Sequence, residues 1–164
     1  MTAAHSEYLP AILAAIGTIG LAVRDGPVQG DELIAGVRIE EGGLTVDRDR
    51  LRYAGDVLHE AGHLAVLPPA ERAAVAGVLP AEGAQETAVL AWSYAAALAF
   101  DLPLDVVFHD GFKAGGPWLR ETFAGGDVLG QPMLQHWGMT RLVGTAEPAD
   151  LPVYPEMGCW LRAR

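Results

Sequence analysis

His59-Glu60-Ala61-Gly62-His63 sets two imidazoles four residues apart, with a carboxylate directly after the first. On a helix of about 3.6 residues per turn, positions 59 and 63 stand one above the other on one face, so both rings can reach a single tetrahedral ion. Glu60 is turned about 100° from His59. It is near enough to such an ion to take a proton from a water beside it, and turned enough not to be a ligand by default. That is the geometry of metal-assisted hydrolysis, with Zn2+ as the ion and Glu60 as general base. Two imidazoles and an acid crowded on one buried face are costly without a partner such as a metal.

The helix that must carry these groups is marked on both sides. Asp56 is the expected N-cap, its charge suited to the positive end of the helix dipole, and Gly55 frees the chain entry. Pro68-Pro69 stops the helix. Leu58, Ala61, Ala65 and Val66 supply apolar contacts, while Gly62 lets a neighbouring backbone come close.

In this stretch the chain resembles the zincins, the H-E-x-x-H zinc peptidases. The resemblance implies His59 and His63 as zinc ligands and Glu60 as catalytic base. The metzincin extension needs Gly at residue 66 and His at residue 69, and Val66 and Pro69 exclude that branch. In the gluzincin branch the third ligand is a glutamate on a later helix. By that resemblance Glu86 fits best and Glu82 second. The chain is also similar in scale to the ImmA/IrrE-type metallopeptidases, which carry a short hairpin before the motif. Gly55-Asp56 and Ala91-Trp92-Ser93 further resemble bacterial proteins with G-D-x-x-H-E-A-G-H, a later Glu and A-W-S. The resemblance covers roughly residues 35 to 100 and speaks for metal chemistry far more than for substrate.

The remaining elements follow from pattern. Leu9, Ile12, Leu13 and Ile16 recur at helical spacing over residues 6–17, with Pro10 tolerable only in the first turn. Gly20 to Val23 reads as a short strand. Val37-Arg38-Ile39-Glu40 and Leu44-Thr45-Val46-Asp47 alternate around Glu41-Gly42-Gly43, a hairpin signal. In the zincins a strand lies along the cleft above the metal, and the resemblance makes one arm of this hairpin the candidate. Ala70 to Val78 reads as a short helix, residues 79–83 as a loop, and Ala84 to Phe100 as a long alanine-rich helix with Glu86, Val89, Leu90, Ser93, Ala97 and Phe100 along one side. Trp118 to Phe123 and Pro132 to Trp137 read as short amphipathic helices, and the proline-rich tail as an extended segment over the body.

Candidates for the third ligand are Glu86, Glu82, His109, Asp101 and Asp110. Glu86 leads because it combines a helical position, a contact-facing direction and, by the resemblance, a suitable interval from His63. Its plain alternative is an acid placed favourably at a helix N-terminus. His109 is a candidate for polarising a substrate carbonyl, with Tyr154 second in that role. His136 reads as a packing or surface residue.

Composition bounds the rest. The 164 residues, 51% apolar, fit one domain with a sizeable core. Residues 1–164 are therefore expected to form a single helix-rich α+β domain, minimal zincin-like by resemblance, with a small hairpin or sheet beside the metal helix. A net charge of −10 disfavours nucleic acid or an anionic membrane as partner, and Lys113 is the only lysine. Cys159 is the only cysteine, so an intrachain disulfide is excluded and the cytoplasm is favoured. The apolar run from Ala11 to Val23 is too short to span a bilayer and lacks the basic flank of a signal peptide. The expected function is a zinc metallohydrolase, in the first place a metallopeptidase taking a peptide or protein substrate. Two alternatives are a binding module with structural zinc, whose mark is a fourth protein ligand, and a zinc hydrolase of a non-peptide substrate, whose mark is a closed pocket.

Overall fold

The computed structural model describes residues 3–30, 34–76 and 83–164. A 3-10 turn, Ser6–Tyr8, leads into α1 (Leu9–Ile19), with Pro10 in its first turn as expected. Three strands follow, β1 (Val23–Asp25), β2 (Val37–Glu40) and β3 (Gly43–Val46), and then α2 (Gly55–Ala65). The remaining helices are α3 (Pro69–Ala74), α4 (Gly83–Ala99), α5 (Leu104–Val107), α6 (Gly116–Ala124) and α7 (Gln131–His136). The architecture is α+β, helix-rich, with a small mixed sheet. Among the described residues, no helix is long and apolar enough to cross a membrane.

The hairpin forms where the alternation placed it. Val37 to Glu40 pairs antiparallel with Gly43 to Val46, and Glu41 (φ 51°) and Gly42 (φ 70°) make the connecting turn. Two successive positive φ values match the strand twist, the reason such two-residue turns favour glycine. The first strand lies later than expected. Gly20 ends α1 in the left-handed conformation (φ 103°), so extended pairing begins only at Val23 and runs parallel to β3, giving the order β1-β3-β2.

Everything is packed around α2. It touches α1, α4, α5, β2 and β3, and ten of its 11 residues are buried, Glu60 being the exception. Such a helix has no solvent face to guide its packing, so close approach depends on small residues. A Cβ at Gly62 would stand 2.9 Å from Val89 Cγ1 and 3.0 Å from Trp92 Cε3, so glycine here admits α4 side chains rather than the backbone expected from sequence. A Cβ at Gly55 would run into the Val106 carbonyl oxygen of α5. The function of Gly55 is therefore interhelical contact rather than chain entry.

The C-terminal end of α2 is tied down by two distant arginines. Arg72 donates through Nε to Leu64 O (3.0 Å) and through Nη2 to Leu67 O (2.7 Å) and Arg162 O (2.8 Å). Arg162 N in turn donates to Ala65 O (2.8 Å). Carbonyls that a helix end leaves without partners are thus satisfied by the Arg72 guanidinium, a cation that the helix dipole also favours there, and by the Arg162 backbone amide. This fixes the turn that carries His63.

Helix α4 is buried on more than the one side that its pattern suggested. Residues 88–93 and 95–97 are all buried, because α2 and α5 cover one part of the helix and α7 and the tail another. Trp92 Nε1 donates to Trp160 O (3.0 Å), which anchors the tail across α4. The same packing removes Tyr154 from the catalytic candidates: its hydroxyl is buried and donates to Ala91 O (2.9 Å).

Candidate metal centre

His59 and His63 project from consecutive turns of α2 and are 1% and 3% exposed. Their Nε2 atoms are 3.2 Å apart. From the first turn of α4, Glu86 brings Oε1 to 3.3 Å from His59 Nε2 and Oε2 to 3.3 Å from His63 Nε2. Three donor groups therefore form a triangle, with a different Glu86 oxygen facing each ring. In a tetrahedral zinc site, bonds of about 2.0–2.2 Å put neighbouring ligand atoms about 3.3–3.5 Å apart. The two ring nitrogens fit that figure within about 0.2 Å, and each Glu86 oxygen fits it toward one ring.

The hydrogen-bonding balance points the same way. Both Glu86 oxygens are buried without a hydrogen-bond partner, despite lying beside two rings. Lone pairs converge here with too few protons between them, a costly arrangement that a cation would relieve. Burial alone would raise the Glu86 pKa, but the His59 and His63 rings beside it outweigh that effect and hold the carboxyl well below its usual range. A ligand carboxylate needs that ionised state.

A carboxylate oxygen of Glu60 also lies within 4.8 Å of the histidine donor atoms. Glu86 approaches both rings more closely, which makes it the stronger candidate for a third ligand, with Glu60 beside it. Glu60 is the one residue of α2 that reaches toward solvent. A general base needs both nearness and access to water. Of the other candidate ligands, Glu82 lies outside the described residues, Asp110 pairs with Arg120 (3.0 Å), and Asp101 sits at the end of α4 in a left-handed turn (φ 52°).

His109 has a different partner. Its Nε2 donates to Asp56 Oδ1 at 2.8 Å, its ring stacks on Tyr53 with centroids 3.7 Å apart, and it is 3% exposed. Asp56 is thus no helix cap. The N-cap of α2 is Ala54 with no side-chain hydrogen bond, and Asp56 sits inside the first turn, where its charge meets the helix dipole and an imidazole together. His109 Nδ1 is buried and has no hydrogen-bond partner. His136 is exposed, and Cys159 Sγ faces Gly138 O at 3.9 Å.

A cavity of about 400 Å³ opens beside His59. Its walls include Tyr53, Asp56 and His109 on one side, Ile34, Ala35 and Phe112 as apolar surface, and the cations Arg52 and Lys113. Phe112 stands edge-on to His59, centroids 5.0 Å apart, and holds the ring from the cavity side. Lys113 Nζ is 3.5 Å from Glu86 Oε1, which links the cavity to the triangle. Arg52 and Lys113 were not singled out from sequence as site residues. The one usable signal was that Lys113 is the only lysine in an acidic chain.

No protein-family model matches the chain, and no curated protein or solved structure matches it.

Proposed function

We propose that the protein is a zinc-dependent hydrolase of peptide or amide bonds, with His59, His63 and Glu86 as ligands and Glu60 as general base. The observation that carries this reading is the triangle of His59 Nε2, His63 Nε2 and the Glu86 carboxylate, with sides of 3.2 and 3.3 Å and carboxylate oxygens that lack hydrogen-bond partners. Zinc bound there would supply Lewis-acid polarisation and acidify an adjacent water. Two imidazoles and one carboxylate leave room for a fourth, non-protein ligand.

The chain's own groups account for the rest of the reaction. Glu60 takes a proton from water as its oxygen bonds to the acyl carbon, and passes that proton to the leaving nitrogen as the C–N bond breaks. Asp56 and Tyr53 fix the ring of His109 on the cavity wall. Burial of the site keeps competing water away and strengthens each of these interactions.

A cavity of about 400 Å³ is the size expected for a small-molecule ligand. Within the class of amide hydrolases this favours a short substrate over an extended polypeptide. Cys159 as a lone free thiol accords with the reducing cytoplasm as the setting.

The test is metal dependence. Purified protein should release amine from short N-acyl amino acids, lose that activity on chelation, and regain it with one equivalent of zinc. Hydrolysis that survives complete removal of metal would refute the reading.

A further inference from the structure

Among the described residues, the cavity beside His59 is lined by charge of the opposite sign to that of its chain. The protein carries 21 acidic against 11 basic residues, yet two cations, Arg52 and Lys113, line this one space. Among the described residues that line it, the one carboxylate, that of Asp56, is already engaged by His109 at 2.8 Å. Arg52 is exposed, and its guanidinium has no partner among the described residues. Among the described residues Lys113 is paired only with Glu86, at 3.5 Å.

We propose that Arg52 and Lys113 form a carboxylate-binding subsite that selects substrates with a free carboxylate next to the scissile amide, that is, N-acyl amino acids and dipeptides. The inference rests on the hydrolase reading above and narrows its substrate class. Charge balance supports it. A dication with Glu86 leaves one positive charge at the centre, and Glu60 cancels it. Lys113 and Arg52 then add two charges and Asp56 removes one, so the loaded site is cationic in a chain of net −10. Once Glu86 serves a metal, its hold on Lys113 weakens and the ammonium needs another anion. The remaining walls suit the rest of such a substrate: Ile34, Ala35 and Phe112 offer apolar contact to a small side chain. A leaving amino acid would lie in the cavity with its carboxylate on the two cations, and its nitrogen toward His59.

Binding of N-acetyl-L-leucine and of its neutral isostere N-acetyl-L-leucinamide, measured by titration calorimetry with every protein, the parent included, carrying Glu60→Gln so that neither compound is hydrolysed, tests this. Each sample is first assayed for zinc and for thermal midpoint. The zinc-loaded parent should bind the acid about tenfold or more tightly than the amide, as expected for charge-assisted hydrogen bonds. Arg52→Gln and Lys113→Gln should each reduce that preference several-fold and leave amide binding unchanged, while Arg52→Lys should restore most of it. Metal-free parent should keep a reduced preference, through Arg52.

Equal binding of acid and amide to the loaded parent would overturn the subsite. So would an undiminished preference in both variants, because the carboxylate would then be on the metal. A parent that takes up no zinc defeats the hydrolase reading instead, and the zinc assay separates the two failures.

Discussion

Glu60→Gln keeps its zinc and loses its turnover. Glutamine matches glutamate in size and stays neutral, so the ligand triangle of His59, His63 and Glu86 is undisturbed. What disappears is the ability to accept a proton from water and return it to the leaving nitrogen. General acid and base catalysis is worth about a hundred- to ten-thousandfold, and the loss in kcat should fall in that range. The measurement pairs metal analysis with turnover on one N-acyl amino acid substrate. Turnover equal to the parent would remove Glu60 from the mechanism. Loss of zinc along with turnover would make Glu60 a ligand instead, a choice that its place within 4.8 Å of the histidine donors makes worth separating.

Glu86→Ala has the opposite signature, because its main effect is on the metal. Loss of a hydrogen-bonding partner behind a ligand lowers metal affinity by about 10- to 100-fold, and loss of a ligand itself should exceed the upper figure. A competition titration against a chelating dye reads this directly. The fold should survive the change. Glu86 is 19% exposed, and the substitution takes away a carboxylate whose two oxygens have no hydrogen-bond partner. Unchanged zinc affinity in a folded Glu86→Ala variant would exclude Glu86 as a ligand.

The parts that sequence revealed are the local ones. His59 and His63 lie on one helix, so their spacing alone predicts that the rings meet. The hairpin rests on a four-residue alternation and a two-residue turn, both readable without knowledge of the rest of the chain. Glu86 needed more, because only packing of α4 on α2 brings it to the rings. Resemblance supplied that step, and the small residues of both helices allow it.

What sequence did not reveal depends on contacts between distant segments. Asp56 has every local feature of a helix cap, but His109, 53 residues later, takes its carboxylate. A buried hydrogen bond to an imidazole prevailed over a capping preference worth about 1 kcal/mol. Arg72 carries no local mark of its role, which arises only where the end of α2 and residue 162 converge on it. Tyr154 looked able to face a cleft, yet its hydroxyl is spent on Ala91 in the core. Arg52 and Lys113 are 61 residues apart in sequence, and only the cavity joins them.

The central claim, that one zinc sits among α2 and α4 side chains, is tested most directly by an anomalous difference map from crystals of the parent soaked with zinc. The predicted result is one strong peak per chain, about 2.0–2.2 Å from His59 Nε2, His63 Nε2 and a Glu86 oxygen, with its fourth neighbour not a protein atom. Rings aimed apart with no peak between them, or a peak enclosed by four protein ligands, would contradict it.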